Sequence, residues 1–170
     1  MRAELINPFM RSLQKTFTTM LNCPVRRTSL TVKEDCRACH EVSGVIGLTG
    51  KAVGAVVLSL SREVALKAAS TLLCTEMSEV NEDVLDAVGE LTNMVAGGAK
   101  AELEEFQLAV SLPNVITGKQ HEVHFPSNVV PISIHFTCDW GDLSLEVGLA
   151  LLPSAEGLSA PREQLLGQST

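Results

Sequence analysis

The sequence has no tyrosine, and its aromatic residues are five phenylalanines and one tryptophan, so flat platforms on which bases or sugars could stack are scarce. The core must therefore be aliphatic. An excess of basic charge is also missing: 13 Lys and Arg stand against 20 Asp and Glu, a formal net charge of -7. That is the wrong sign for neutralising the phosphates of nucleic acid or of an anionic membrane. No apolar stretch approaches the ~20 residues that a membrane-spanning helix needs. The amino-terminal segment has neither the unbroken apolar block nor the small-residue cleavage site of a secretory signal, so a cytoplasmic location is expected. The five cysteines are an odd number that cannot all pair within one chain, and a reducing compartment keeps such residues as thiols.

What is present suffices for one domain. The chain has 170 residues, 45% of them hydrophobic, with a mean hydropathy of +0.21, which excludes a disordered chain. Leu5, Ile6, Phe9, Met10, Leu13, Phe17, Met20 and Leu21 recur at helical spacing, predicting an amphipathic first helix over residues 1–21. A strand is expected over 24–32, then a hairpin of 42–48 and 53–60 turning at Thr49, Gly50 and Lys51. Ser61 can cap a helix from Arg62 to Leu73. The proline-free stretch 79–105 predicts the longest helix. Leu108 to Leu112 reads as a strand stopped by Pro113, followed by a loop around Gly118. The alternation of Ile132, Ile134, Phe136 and Cys138, and then of Leu143, Leu145, Val147, Leu149 and Leu151, predicts a hairpin with one buried face. The domain is expected over 1–152, with 153–170 a flexible tail carrying few apolar anchors. The class is α+β, long helices packed on a mainly antiparallel sheet.

The long helix holds the most specific pattern. Asp86, Glu90 and Asn93 project within about 60° of one another at 100° per residue, while Val84, Leu85, Val88, Leu91 and Val95 take the opposite side. One face can then be buried while the other shows an acidic and amide stripe to a partner. Gly97 continues the stripe, and a glycine there removes a side chain that would hold a partner away, at a helix-propensity cost of about 1 kcal/mol. Gly98 doubles that cost. A solvated face, with the glycines packing against the chain's own sheet, is the plain alternative.

Asp86-x-x-x-Glu90-x-x-Asn93 with a later Ser111-Leu112-Pro113 resembles the motif of the CheC/CheX/FliY family of bacterial chemotaxis phosphatases. The likeness extends to Ile6-Asn7-Pro8-Phe9, to the hairpin from Ser43 to Gly50, to the strand Val56-Val57-Leu58-Ser59, and to Glu90 through Lys100. It covers most of residues 1–152 and is greatest to the single-motif CheX members, although Pro113 follows at a slightly shorter interval than in the family. The resemblance implies a CheC-like fold, a homodimer joined along a sheet edge, and hydrolysis of the aspartyl phosphate of a CheY-type response regulator. By the same implication Glu90 docks on the regulator's active-site lysine, Asn93 orients the attacking water, and Asp86 and Gly97 help to bind the substrate protein. The chain would carry no cofactor of its own, the divalent metal (Mg) being the regulator's. A non-enzymatic interaction module of the same fold, serving chemotaxis or the flagellar switch, is the second reading.

Other patterns compete. Glu4-Leu5-Ile6-Asn7 echoes Glu90-Leu91-Thr92-Asn93, but Pro8 predicts Asn7 as a helix cap with Glu4 off its face, which argues against a second site. Cys36-Arg37-Ala38-Cys39-His40 fits C-x-x-C-H, a haem-attachment pattern in exported proteins. Together with Cys23 it would offer four metal ligands, or Cys36 and Cys39 a redox pair. Lacking an export signal and a second ligand pair, it is read as a surface loop with free thiols and no metal. His121, His124 and His135 are expected to be solvated.

Overall fold

The computed structural model describes residues 3–153; the expected tail, 154–170, lies outside the described residues. Three helices and seven strands follow in the order α1 (Ala3–Leu21), β1 (Arg26–Val32), β2 (Val42–Thr49), β3 (Ala52–Leu60), α2 (Arg62–Leu73), α3 (Glu82–Glu102), β4 (Ala109–Val110), β5 (Asn114–Thr117), β6 (Ile132–Cys138) and β7 (Gly141–Leu151). All strand pairs are antiparallel. They form one sheet in the order β1-β6-β7-β3-β2-β4, with β5 also on β2.

Cross-strand register explains the core. Val42, Gly44 and Ile46 stand opposite Leu60, Leu58 and Val56, which in turn face Leu143, Leu145 and Val147. These residues lie on one pleat face, and with Leu13 and Phe17 of α1, Val64 and Ala68 of α2, and Val88, Leu91 and Val95 of α3 they make one buried cluster. At Gly44 a β-carbon would stand 1.9 Å from Thr92 Oγ1, so glycine lets α3 settle directly on β2. The Thr92 hydroxyl, fully buried, donates to Val88 O at 2.7 Å.

Three expectations are corrected. First, α1 does not begin at Asn7: Pro8 lies inside the helix. The proline forfeits one early hydrogen bond and strains the turn before it, a cost of about 3 kcal/mol. Burial of Leu5, Ile6 and Phe9, at about 1.5–3 kcal/mol each, outweighs it. Second, the strand expected over 108–112 is only Ala109–Val110, paired with the end of β2 at Leu48 and Thr49. Pro113 does not end the edge, because β5 resumes it on Val42–Val45. Between the two, Ser111 bonds Gly47 through both its backbone N–H and its hydroxyl oxygen (2.9 Å each), and Leu112 is thrown outward with 86% of its surface exposed. Third, the β6–β7 hairpin is covered on both faces, since Leu143 through Leu149 are all buried.

The second cover comes from the segments 33–41 and 118–131, which lie over the sheet face away from the core cluster. That face presents Ser43, Ser59, Ser133, His135, Ser144 and Glu146. Lys33, whose side chain is only 4% exposed, reaches across to fully buried Glu146 (Nζ to Oε1, 2.9 Å) and also donates to Arg37 O. The Cys39 thiol lies 3.4 Å from the same Glu146 oxygen, the His40 N–H donates to Ser59 Oγ at 3.0 Å, and His121 Nε2 is 2.8 Å from Ser43 Oγ. A Cβ at Gly148 would collide with Phe125 and Val129, which close the far end.

Candidate functional site on the third helix

Helix α3 starts where its sequence directs. Asn81 caps it, Oδ1 accepting from Val84 N at 3.1 Å, and Glu82 and Asp83 in the first turn complement the positive end of the helix dipole. The buried side is Val84, Ala87, Val88, Leu91, Thr92 and Val95. Asp86 and Glu90 are exposed on the other side, with Asn93 and Gly97 half-buried beside them, so the helix displays the stripe that the sequence predicts.

The ion pairs among the described residues are Arg11–Glu102, Lys33–Asp35 and Lys33–Glu146, with His124 lying beside Glu122, which leaves the Asp86 and Glu90 carboxylates uncompensated. Exposed carboxylates without a cation of their own are suited to meet one from a partner. The two glycines divide the roles left open above. A β-carbon at Gly97 would meet nothing within 4 Å, whereas one at Gly98 would stand 2.3 Å from Ser12 Oγ; Gly98 is the packing glycine and Gly97 the open one.

On either side the stripe has a rim. Pro113 packs toward Gly89, with 3.5 Å to a β-carbon placed there, so the Ser111-Leu112-Pro113 excursion borders α3 and brings exposed Leu112 to the flank of the site. Beyond Gly97 an open groove of about 490 Å³ is lined by residues that include Lys100, Gln107 and Val110. The outward turn of Leu112 is not legible in Ser111-Leu112-Pro113; it follows from the split of the edge into β4 and β5.

The echo on α1 has a different setting. Because Pro8 is within the helix, Glu4 and Asn7 do share the i,i+3 relation of Glu90 and Asn93, contrary to the expectation from Pro8. The position matching Gly97 is Arg11, however, and its guanidinium is held by Glu102 (Nε to Oε2, 3.0 Å). A bulky ion-paired side chain stands where α3 leaves space.

The C-x-x-C-H residues disperse. Cys39 turns to Glu146 and Ser133, while Cys36 joins Glu122 and His124. Burial holds the His40 imidazole below its ordinary pKa, opposed by the charge of Asp142 and aided by that of His135, and its Nε2 has no partner. Cys23 belongs elsewhere: burial, with the neighbouring Cys138 thiol, pushes its pKa up to about 11. All five cysteines are free. The quartet of Cys23, Cys36, Cys39 and His40 is not assembled. His121 and His135 are not solvated as expected, being half-buried in the second cover.

An antiparallel sheet with helices packed on it, one of which carries an unpaired Glu90 carboxylate with Asn93 and an open glycine beside it, has the architecture of a CheC-like domain. The family model described as chemotaxis phosphatase CheX matches residues 42–137, and the chain belongs to that family. A relative from Thermotoga maritima, the CheY-P phosphatase CheX, is 30% identical over 152 residues, covering 86% of this chain and 97% of its own. Among solved structures, a CheC-like superfamily protein from Shewanella sp. PV-4 is 30% identical with a TM-score of 0.80, over 88% of this chain and 99% of that one. CheX in the CheX–CheY–BeF3–Mg complex from Borrelia burgdorferi shares the fold at 21% identity, TM-score 0.73, over 87% and 99%.

Proposed function

We propose that this protein hydrolyses the aspartyl phosphate of a CheY-type response regulator, using the α3 stripe as the face that meets it. The observation that carries this reading is the placement of exposed Glu90 beside half-buried Asn93 on one side of α3, with open space at Gly97. The activity named for the Thermotoga relative and the CheY partner of the Borrelia protein support it.

The chemistry asks little of the phosphatase. An aspartyl phosphate is an activated mixed anhydride; a water oxygen bonds to phosphorus, the bond from phosphorus to the regulator's carboxylate breaks, and inorganic phosphate leaves. Positioning and charge stabilisation suffice. Glu90 pairs with the regulator's lysine and sets register. The Asn93 carboxamide, which both donates and accepts and does not titrate, holds the water in line. Asp86 lies one turn away at the rim, Gly97 admits the regulator's surface, and Leu112 adds an apolar contact. The metal, Mg2+, belongs to the regulator.

The same reading includes a homodimer. Strand β1 is an edge exposed along its whole length, with Leu30 and Val32 at 45% and 54% exposure, and its free N–H and C=O groups suit pairing with a second copy. The opposite edge is interrupted at Ser111–Pro113.

The test is the decay of phosphorylated regulator with and without the protein. Acceleration supports the proposal; binding without acceleration would make the protein an interaction module.

A further inference from the structure

We propose that Cys36, Glu122 and His124 form a zinc site on the sheet face opposite α3, tying the two covering segments together. Their ligand atoms lie within 4.8 Å of one another, although 86 residues of sequence separate Cys36 from Glu122. Backbone pairing fixes the approach. Arg37 and Glu122 are bridge partners, Val123 N donates to Cys36 O at 2.7 Å, and Ala38 N donates to His121 O at 2.9 Å. His124 Nε2 is already 3.5 Å from Glu122 Oε2.

Donor chemistry selects the ion. One thiolate, one imidazole and one carboxylate are the mixed set that borderline-soft zinc accepts, whereas magnesium and calcium ask for oxygen alone. Around a tetrahedral zinc, donors at about 2.0–2.3 Å from the metal sit roughly 3.3–3.8 Å apart. A closure of about 1 Å therefore completes the set, and the exposed side chains of Glu122 and His124 are free to make it. Thiolate and carboxylate together neutralise the ion's two charges. Three protein donors leave the fourth position to water, which reaches the site past Glu122 and His124.

The consequence is mechanical. Segment 33–41 covers the buried Lys33–Glu146 pair, and segment 118–131 covers the rest of that face; zinc joins one to the other. The site stands apart from Glu90 and Asn93, so it is independent of the phosphatase reading, and it replaces the expectation of a metal-free loop.

Metal content of the full chain, loaded with zinc and freed of excess, tests this, together with competition against a chromophoric chelator. One zinc per chain is expected. Cys36→Ser and His124→Ala should each weaken binding about tenfold or more, while Cys39→Ser, whose thiol faces Glu146, should leave it unchanged. Cobalt in place of zinc should give a thiolate charge-transfer absorption that Cys36→Ser abolishes. Circular dichroism of each variant confirms the fold. Less than stoichiometric zinc after loading, or binding that survives both Cys36→Ser and His124→Ala, would overturn the proposal. So would binding lost on Cys39→Ser alone, which would return the ion to the C-x-x-C pair.

Discussion

Gly98 on α3 packs so closely on Ser12 of α1 that a β-carbon added to it would lie 2.3 Å from the serine hydroxyl oxygen. At Gly97, the residue before it, a β-carbon would meet nothing within 4 Å. The paired glycines therefore serve two ends, one letting α1 approach and the other leaving space beside the stripe.

Alanine at each position separates them. Gly98→Ala should destabilise by about 1–3 kcal/mol through overpacking, whereas Gly97→Ala should stabilise by about 1 kcal/mol through helix propensity. Gly97→Leu should keep the fold yet raise the KM for phosphorylated regulator. Urea unfolding and steady-state kinetics measure both effects, and equal destabilisation by the two alanine variants would contradict the assignment.

The Lys33–Glu146 pair is almost wholly withdrawn from solvent. Lys33→Met should cost about 3–5 kcal/mol, because it strands a carboxylate whose other oxygen already lacks a partner. Adding Glu146→Gln should restore most of the loss. Denaturant melts of the single and double variants form the test.

Acid should weaken the fold through His40. Its folded pKa lies below the ordinary 6.5, so the unfolded chain takes up a proton first. The stability it contributes is complete above about pH 6.5 and is lost as pH falls through the lower, folded value. His40→Gln should flatten the decline of melting temperature between neutral and mildly acidic pH. Parallel curves for the two proteins would remove His40 as a source.

Much of this was legible in residue order. Apolar periodicity located α1, α2, α3 and the two hairpins, and the stripe of Asp86, Glu90, Asn93 and Gly97 emerged because helix geometry relates residues that are close in sequence. What escaped was set by distant partners. Ser133, His135 and Glu146 read as a solvated strand face because alternation cannot show that loops from 33–41 and 118–131 return to cover it. Cys36, Cys39 and His40 read as one cluster because they are adjacent, yet Cys36 takes its neighbours from 122 and 124. Pro8 looked like a boundary because local preference ignores the tertiary burial that carries the helix through it.

Strand β1 should join two copies. Light scattering is expected to report a dimer of the 18.2 kDa chain, and Leu30→Lys with Val32→Lys should yield a folded monomer. A monomeric wild type at micromolar concentrations would reject the edge pairing.

The most direct measurement is the rate at which phosphate leaves a phosphorylated CheY-type regulator in the presence of wild type, Glu90→Ala, Asn93→Ala and Asn7→Ala. Asn93→Ala should lose about a hundredfold or more of the acceleration while retaining binding, since it removes water positioning and no core contact. Glu90→Ala should lose it chiefly through weaker docking, and Asn7→Ala should match wild type because Arg11 occupies the approach on α1. Wild-type rates from a folded Glu90→Ala/Asn93→Ala double variant would contradict the account.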